Sequence, residues 1–126
     1  MECYFGSFPL PDESQVDKSS IVLFTIPDLG IKFKAPFDAV NNDHGDYASL
    51  LSLLEFIDGN QKYFSNNTYR IYGNNLKIIN QVNEHEITPM EFSNLFKKAK
   101  KYRAKYKFSL NWIAVDSNPV FQSLFD

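Results

Sequence analysis

Residues Ile71 to Gln81 read IYGNNLKIINQ, and the reading of this stretch decides the fold. Thr68 to Tyr72 is rich in β-formers, whereas Leu76, Ile78, Ile79 and Val82 recur with a helical period. Gly73 and the pair Asn74-Asn75 stand at the joint. The predicted local structure is a strand that runs directly into a short helix, with two side-chain amides at the junction.

Working upstream, Glu2 to Phe8 reads as a first strand closed by the Pro9-Leu10-Pro11 turn region. Ile21 to Ile26 and Ile31 to Ala35 are apolar or alternating runs. Pro27-Asp28-Leu29-Gly30 between them has the residue types of a tight turn, so the pair is predicted as antiparallel strands. From His44 to Asp58, Ala48, Leu50, Leu51, Leu53, Leu54 and Ile57 recur at helical spacing, and Asp58-Gly59 supplies a stop. This segment is predicted to be the central buried helix.

Downstream, Thr88-Pro89-Met90-Glu91 has the pattern of a capping box with proline at the first helical position. A helix is predicted from there to about Tyr106, with Phe92, Leu95, Phe96, Ala99, Tyr102 and Tyr106 on one face and Lys97, Lys98, Lys101 and Lys105 on the other. Phe108 to Val115 reads as a strand containing Trp112, and Val120 to Phe125 as a short closing helix. The order β, β, β, α, β, α, α, β, α predicts an α/β domain in which an antiparallel hairpin precedes parallel strands.

At 126 residues, 44% of them hydrophobic, the chain fits a single domain spanning 1–126. A lone cysteine, Cys3, has no internal disulfide partner and lies in an apolar strand, which predicts a core thiol in a reducing, cytoplasmic setting. No run approaches the roughly 20 apolar residues that span a bilayer, so no membrane role is expected. The net charge of -2 conceals a strong asymmetry. Seven of the 13 basic residues fall between Lys97 and Lys107 with no acid among them, while the 96 residues before hold six basic and 13 acidic side chains. No zinc pattern, phosphate-binding glycine loop or nucleophile elbow is present.

Four segments carry a resemblance. Ile71 to Glu84, IYGNNLKIINQVNE, resembles IYGDSQLVINQVNG of the ribonuclease H family and places Asn74 on a metal-binding aspartate. Asn41 to Leu51, NNDHGDYASLL, is similar to that family's TNNxAEYxALL and places Asp46 on a metal-binding glutamate. Trp112 to Gln122, WIAVDSNPVFQ, resembles WVPREQNKEAD, with Asn118 on the asparagine and Gln122 on the final aspartate. Tyr4 to Phe8, YFGSF, resembles YFDGA, which puts Gly6 on the first aspartate. The resemblance implies a ribonuclease H-like fold: a mixed five-stranded sheet, strands one to three antiparallel and the later ones parallel, flanked by helices.

Active members of that family cut the RNA strand of RNA-DNA hybrids with two magnesium ions held by four carboxylates. The set here is Gly6, Asp46, Asn74 and Gln122, of which Asp46 alone is charged. Magnesium wants charged oxygens, and neutral carboxamides neither balance its charge nor compete with its water. The expectation is a non-catalytic module with no cofactor that binds nucleic acid, as an RNA-DNA hybrid or duplex, or a protein partner. The resemblance assigns backbone contacts to Asn42, Asp43 and Asn75. The stack of Lys97, Lys101 and Lys105 reads either as a phosphate-contacting stripe or as a solvated helix face. The alternative is a divergent magnesium-dependent ribonuclease H that uses Asp46 with carboxylates relocated from Asp12, Asp43 or Asp116, with His44 as a proton shuttle. A third reading is a scaffold or dimerisation domain with an exposed aromatic tail, Pro119 to Phe125.

Overall fold

A computed structural model describes residues 1–10, 19–64 and 68–124, with the side chains of 123 and 124 left out. Strands β1 (Glu2–Pro9), β2 (Ser20–Ile26) and β3 (Ile31–Phe37) precede the long helix α1 (Asn42–Gly59). Then follow β4 (Tyr69–Gly73), α2 (Leu76–Val82), α3 (Ser93–Lys105) and β5 (Phe108–Trp112), and a 3-10 segment spans Pro119–Leu124. The sheet order is β3-β2-β1-β4-β5. β1 and β2 pair antiparallel with Tyr4 opposite Thr25, as do β2 and β3 with Phe24 opposite Phe33. β4 lies parallel to β1, with Ile71 opposite Cys3, and β5 lies parallel to β4, with Leu110 opposite Ile71.

Alternation along β1 decides what each sheet face carries. Cys3 and Phe5 enter the core with Phe24, Ile26, Ile71 and Leu110, beneath Tyr47, Leu50, Leu53, Leu54 and Ile57 of α1. Complete burial of such side chains contributes about 1.5–3 kcal/mol each. α2 and α3 extend the helical layer through Ile78, Ile79, Val82 and Ala99. On the opposite face Tyr4 stacks on Tyr72 at 5.3 Å, and the Pro119–Leu124 segment crosses Gly6.

Three local expectations are corrected. Pro89 is extended (ψ 149°), so the Thr88-Pro89 box starts no α-helix; Met90–Phe92 forms a 3-10 turn and α3 begins at Ser93 without a side-chain cap. The physical reason is packing: the turn drives Phe92 into the core against Tyr47, with ring centroids 5.4 Å apart. β5 stops at Trp112 rather than Val115, because its partner β4 ends at Gly73; the last ladder bond runs from the Ile113 N–H to the Gly73 carbonyl, 2.8 Å. The closing helix is a 3-10 segment, and Phe125 lies outside the described residues. Among the described residues no helix is long and apolar enough to cross a membrane.

Candidate functional site at the ends of β1 and β4

The N-terminus of α1 is fixed by Asn41, whose side chain accepts a hydrogen bond from the His44 N–H at 2.9 Å. Gly45 then lets the helix settle onto β1: a Cβ there would lie 2.8 Å from Ser7 Oγ. That close approach brings the Ser7 hydroxyl to donate to Asp46 Oδ1 at 2.7 Å. Asn75, at the cap position of α2, donates through Nδ2 to Asp46 Oδ2 at 2.8 Å and to Asp43 Oδ1 at 2.9 Å. Its Oδ1 accepts from the Ile78 N–H. Lys77 Nζ completes the cluster, 3.1 Å from Asp43 Oδ2.

Asp46 is therefore enclosed and occupied. Only 8% of it is exposed. Burial pushes its carboxyl above the usual value; the bonds from Asn75 and Ser7 oppose that rise, and the neighbouring Asp43 charge adds to it. Asn75 has both its polar atoms engaged within the fold, so the phosphate-contact role expected of it lacks a free donor. Asn42 is exposed at the first turn of α1, and Asp43 is held by Asn75 and Lys77.

On the other face of β1 a Cβ added to Gly6 would meet Asn74 Oδ1 at 3.4 Å, Phe121 Cζ at 2.9 Å and Val120 Cγ2 at 3.2 Å. Gly6 and Asn74 are thus brought together, and the space a first carboxylate would need is taken by two apolar side chains. Asn118 holds that cover in place. It is buried, donates from Nδ2 to the Phe5 carbonyl at 3.0 Å and to Asn74 Oδ1 at 3.3 Å, and accepts from the Val120 N–H at 3.2 Å. The expected exposed aromatic tail is therefore corrected as far as it is described: Val120 is buried and Phe121 half-buried, both packed over Gly6. Gln122 is exposed.

The described candidates for relocated carboxylates do not assemble. Among the described residues no group of three or more His, Cys, Asp and Glu side chains is placed to hold a metal ion. Asp116 is exposed in a separate 3-10 turn, and Asp12 lies outside the described residues. His44 is not poised as a shuttle: Nδ1 accepts from the Val40 N–H at 3.1 Å, and the ring lies against Phe37 and Phe92. The donor set at the four family positions, one enclosed carboxylate, two amides and a glycine, does not fit a two-magnesium centre.

Along α3, Lys97, Lys98 and Lys101 are exposed. Lys105 is not a free cation in the expected stack, since its Nζ pairs with Asp58 Oδ1 at 2.6 Å. Lys100 pairs with Glu84 at 2.8 Å. Sequence reasoning missed Ser7, Lys77 and Phe121. Ser7 follows Gly6 and so faces the other side of β1, a signal that was available; nothing local marks Phe121 as the partner of Gly6.

The strand order, the antiparallel-then-parallel pairing and the seating of α1 on β1 and β2 define the class: this is a ribonuclease H fold. Ribonuclease H1 from the halophilic archaeon Halobacterium salinarum superposes with a TM-score of 0.71 at 13% identity, over 97% of this chain and 97% of its own. LC11, a ribonuclease H1 isolated from compost and solved with an RNA/DNA hybrid, gives 0.72 at 13% identity over 93% and 87%. The N-terminal ribonuclease H domain of a Mycobacterium tuberculosis protein, solved as a fusion with maltose binding protein, gives 0.68 at 8% identity over 95% and 92%. At these identities the likeness is one of fold. No family model and no curated protein matches the sequence.

Proposed function

We propose that this chain is a non-catalytic module of ribonuclease H fold that binds nucleic acid and needs no magnesium to do so. The observation that carries this reading is the state of the four family positions. Gly6 is covered by Phe121, Asn74 is tied to Asn118, Gln122 is a neutral exposed amide, and Asp46 is engaged by Ser7 and Asn75. Replacing clustered carboxylates by neutral groups also removes mutual repulsion, so losing the metal site favours the fold itself.

Binding is supported by two things of different weight. LC11 ribonuclease H1 shares the fold and is seen with an RNA/DNA hybrid, and the cationic run on α3 supplies charge of the sign a phosphate backbone requires. The test is anisotropy of labelled hybrid, duplex and single strands with magnesium and with chelator, each sample then run on a denaturing gel. Metal-independent binding with strands left intact is the expected result. Absence of binding to every ligand would defeat the binding half of the proposal, and metal-dependent shortening of the RNA strand would defeat the other half.

A further inference from the structure

The site at the ends of β1 and β4 and the cationic helix offer different things to an anionic ligand. At Asn75, next to Asn74, the charges are Asp43 and Asp46, with Lys77 already committed to Asp43. The amide hydrogens of Asn75 are committed to the same two carboxylates. A phosphate entering there meets acids and spent donors. Between α1 and α3, by contrast, Glu55, Lys98, Lys101, Tyr102 and Lys105 line a groove of about 340 Å³. Asp58 absorbs Lys105, and Glu84 absorbs Lys100. Lys97, Lys98 and Lys101 are left exposed with no ion pair among the described residues; Lys98 and Lys101 line the groove, where they face Glu55.

The groove is also remote from the site at the ends of β1 and β4. Glu55 lies nine residues after Asp46 on α1, roughly 13 Å along the helix axis. Its volume is far too small for a duplex, and it combines cations with the half-buried ring of Tyr102 in its wall. A cationic groove with an aromatic wall is the arrangement that tracks the backbone of a single strand and receives an unpaired base.

We propose that the nucleic-acid surface of this chain is the α1–α3 groove, on Lys98, Lys101 and Tyr102 with Lys97 exposed beside it on α3, with a single-stranded nucleic acid as its ligand, and not the site around Asn74. The inference rests on the nucleic-acid reading above and adds its location and strandedness. Trp112, the one tryptophan of the chain, distinguishes the two sites, because its indole N–H donates to the Asn74 carbonyl at 3.2 Å and the ring therefore reports on the surroundings of Asn74.

The experiment titrates the whole chain with a labelled single strand of about ten nucleotides, reading anisotropy and Trp112 emission across salt from about 50 to 200 mM. Three phosphate contacts give a log-log salt slope of about -2, and the exposed double variant Lys98→Glu/Lys101→Glu is expected to reduce its magnitude by about 1.4. Trp112 emission is expected to stay constant as the strand binds. Binding that survives the double variant and changes Trp112 emission overturns the inference while leaving the nucleic-acid reading intact. No binding by the wild type overturns that reading, and the inference with it. Displacement of the strand by polyglutamate at equal charge concentration overturns nucleic acid as the ligand, in favour of an acidic protein segment.

Discussion

Asn75 engages Asp43 and Asp46 of α1 with one nitrogen and caps α2 with its oxygen, so a single amide ties the two helices together. Replacing it by alanine leaves Asp46 buried with one bond fewer, which is expected to cost about 1–3 kcal/mol in a denaturant titration. At Gly6 the obstacle is volume. Gly6→Asp is expected to destabilise by about 1–3 kcal/mol through overpacking against Phe121, and Gly6→Asp/Phe121→Ala to recover part of that loss; equal stabilities for all three chains would contradict the packing described. Asn74→Asp alone is expected to yield no hybrid cleavage, since Gly6 and Gln122 remain uncharged. Cys3 is fully buried, and burial pushes its thiol up to about 12. It is expected to ignore a thiol reagent at mildly alkaline pH until denaturant is added. The places of Asn74 just after β4 and of Asp46 early in α1 were legible because the pattern around each is local. The cover over Gly6 was not, because it joins residues more than a hundred positions apart through shape rather than any sequence signal.

At the scale of elements, α1 and α3 are clamped at their C-terminal ends by Asp58, which accepts from Lys105 and from the Tyr106 hydroxyl. Hydrogen bonds from Lys105 and then Tyr106 hold the Asp58 carboxyl below its ordinary value of 3.8. A carboxyl lowered in the folded state contributes stability above its unfolded value and loses it as pH falls through the folded value. Asp46 has the opposite sign: raised by burial, it favours the fold most below the unfolded value and less as pH rises through its folded value. Lys105→Ala is therefore expected to flatten the loss of thermal stability below pH 3.8, and an unchanged acid limb would remove the clamp from the account. The start of α3 shows where local signals fail: Thr88-Pro89 satisfies the rules for a cap, yet burying Phe92 against Tyr47 overrides them. Lysines spaced i, i+4, i+8 describe a straight line on the helix, whereas the groove follows Lys98, Lys101 and Lys105 because α1 sets its edge.

For the whole molecule, the antiparallel-then-parallel pairing of a five-stranded sheet was readable because the motifs occur in sequence at spacings that allow few topologies, and the hairpin Ser20 to Phe37 supplies the antiparallel edge. What the residues alone left open was whether stray acids regroup; Asp43, Asp46 and Asp116 do not form a metal-holding set, and each has a structural or solvated setting. The molecule has the sheet and the central helix of a ribonuclease H fold, and the four positions that the resemblance assigns to metal are neutral, covered or enclosed. The most direct measurement is single-turnover incubation of an RNA-DNA hybrid with excess protein in magnesium and then manganese, beside Asp46→Asn. RNA left intact by both proteins in both metals is the expected result, and metal-dependent cleavage that Asp46→Asn abolishes would contradict it.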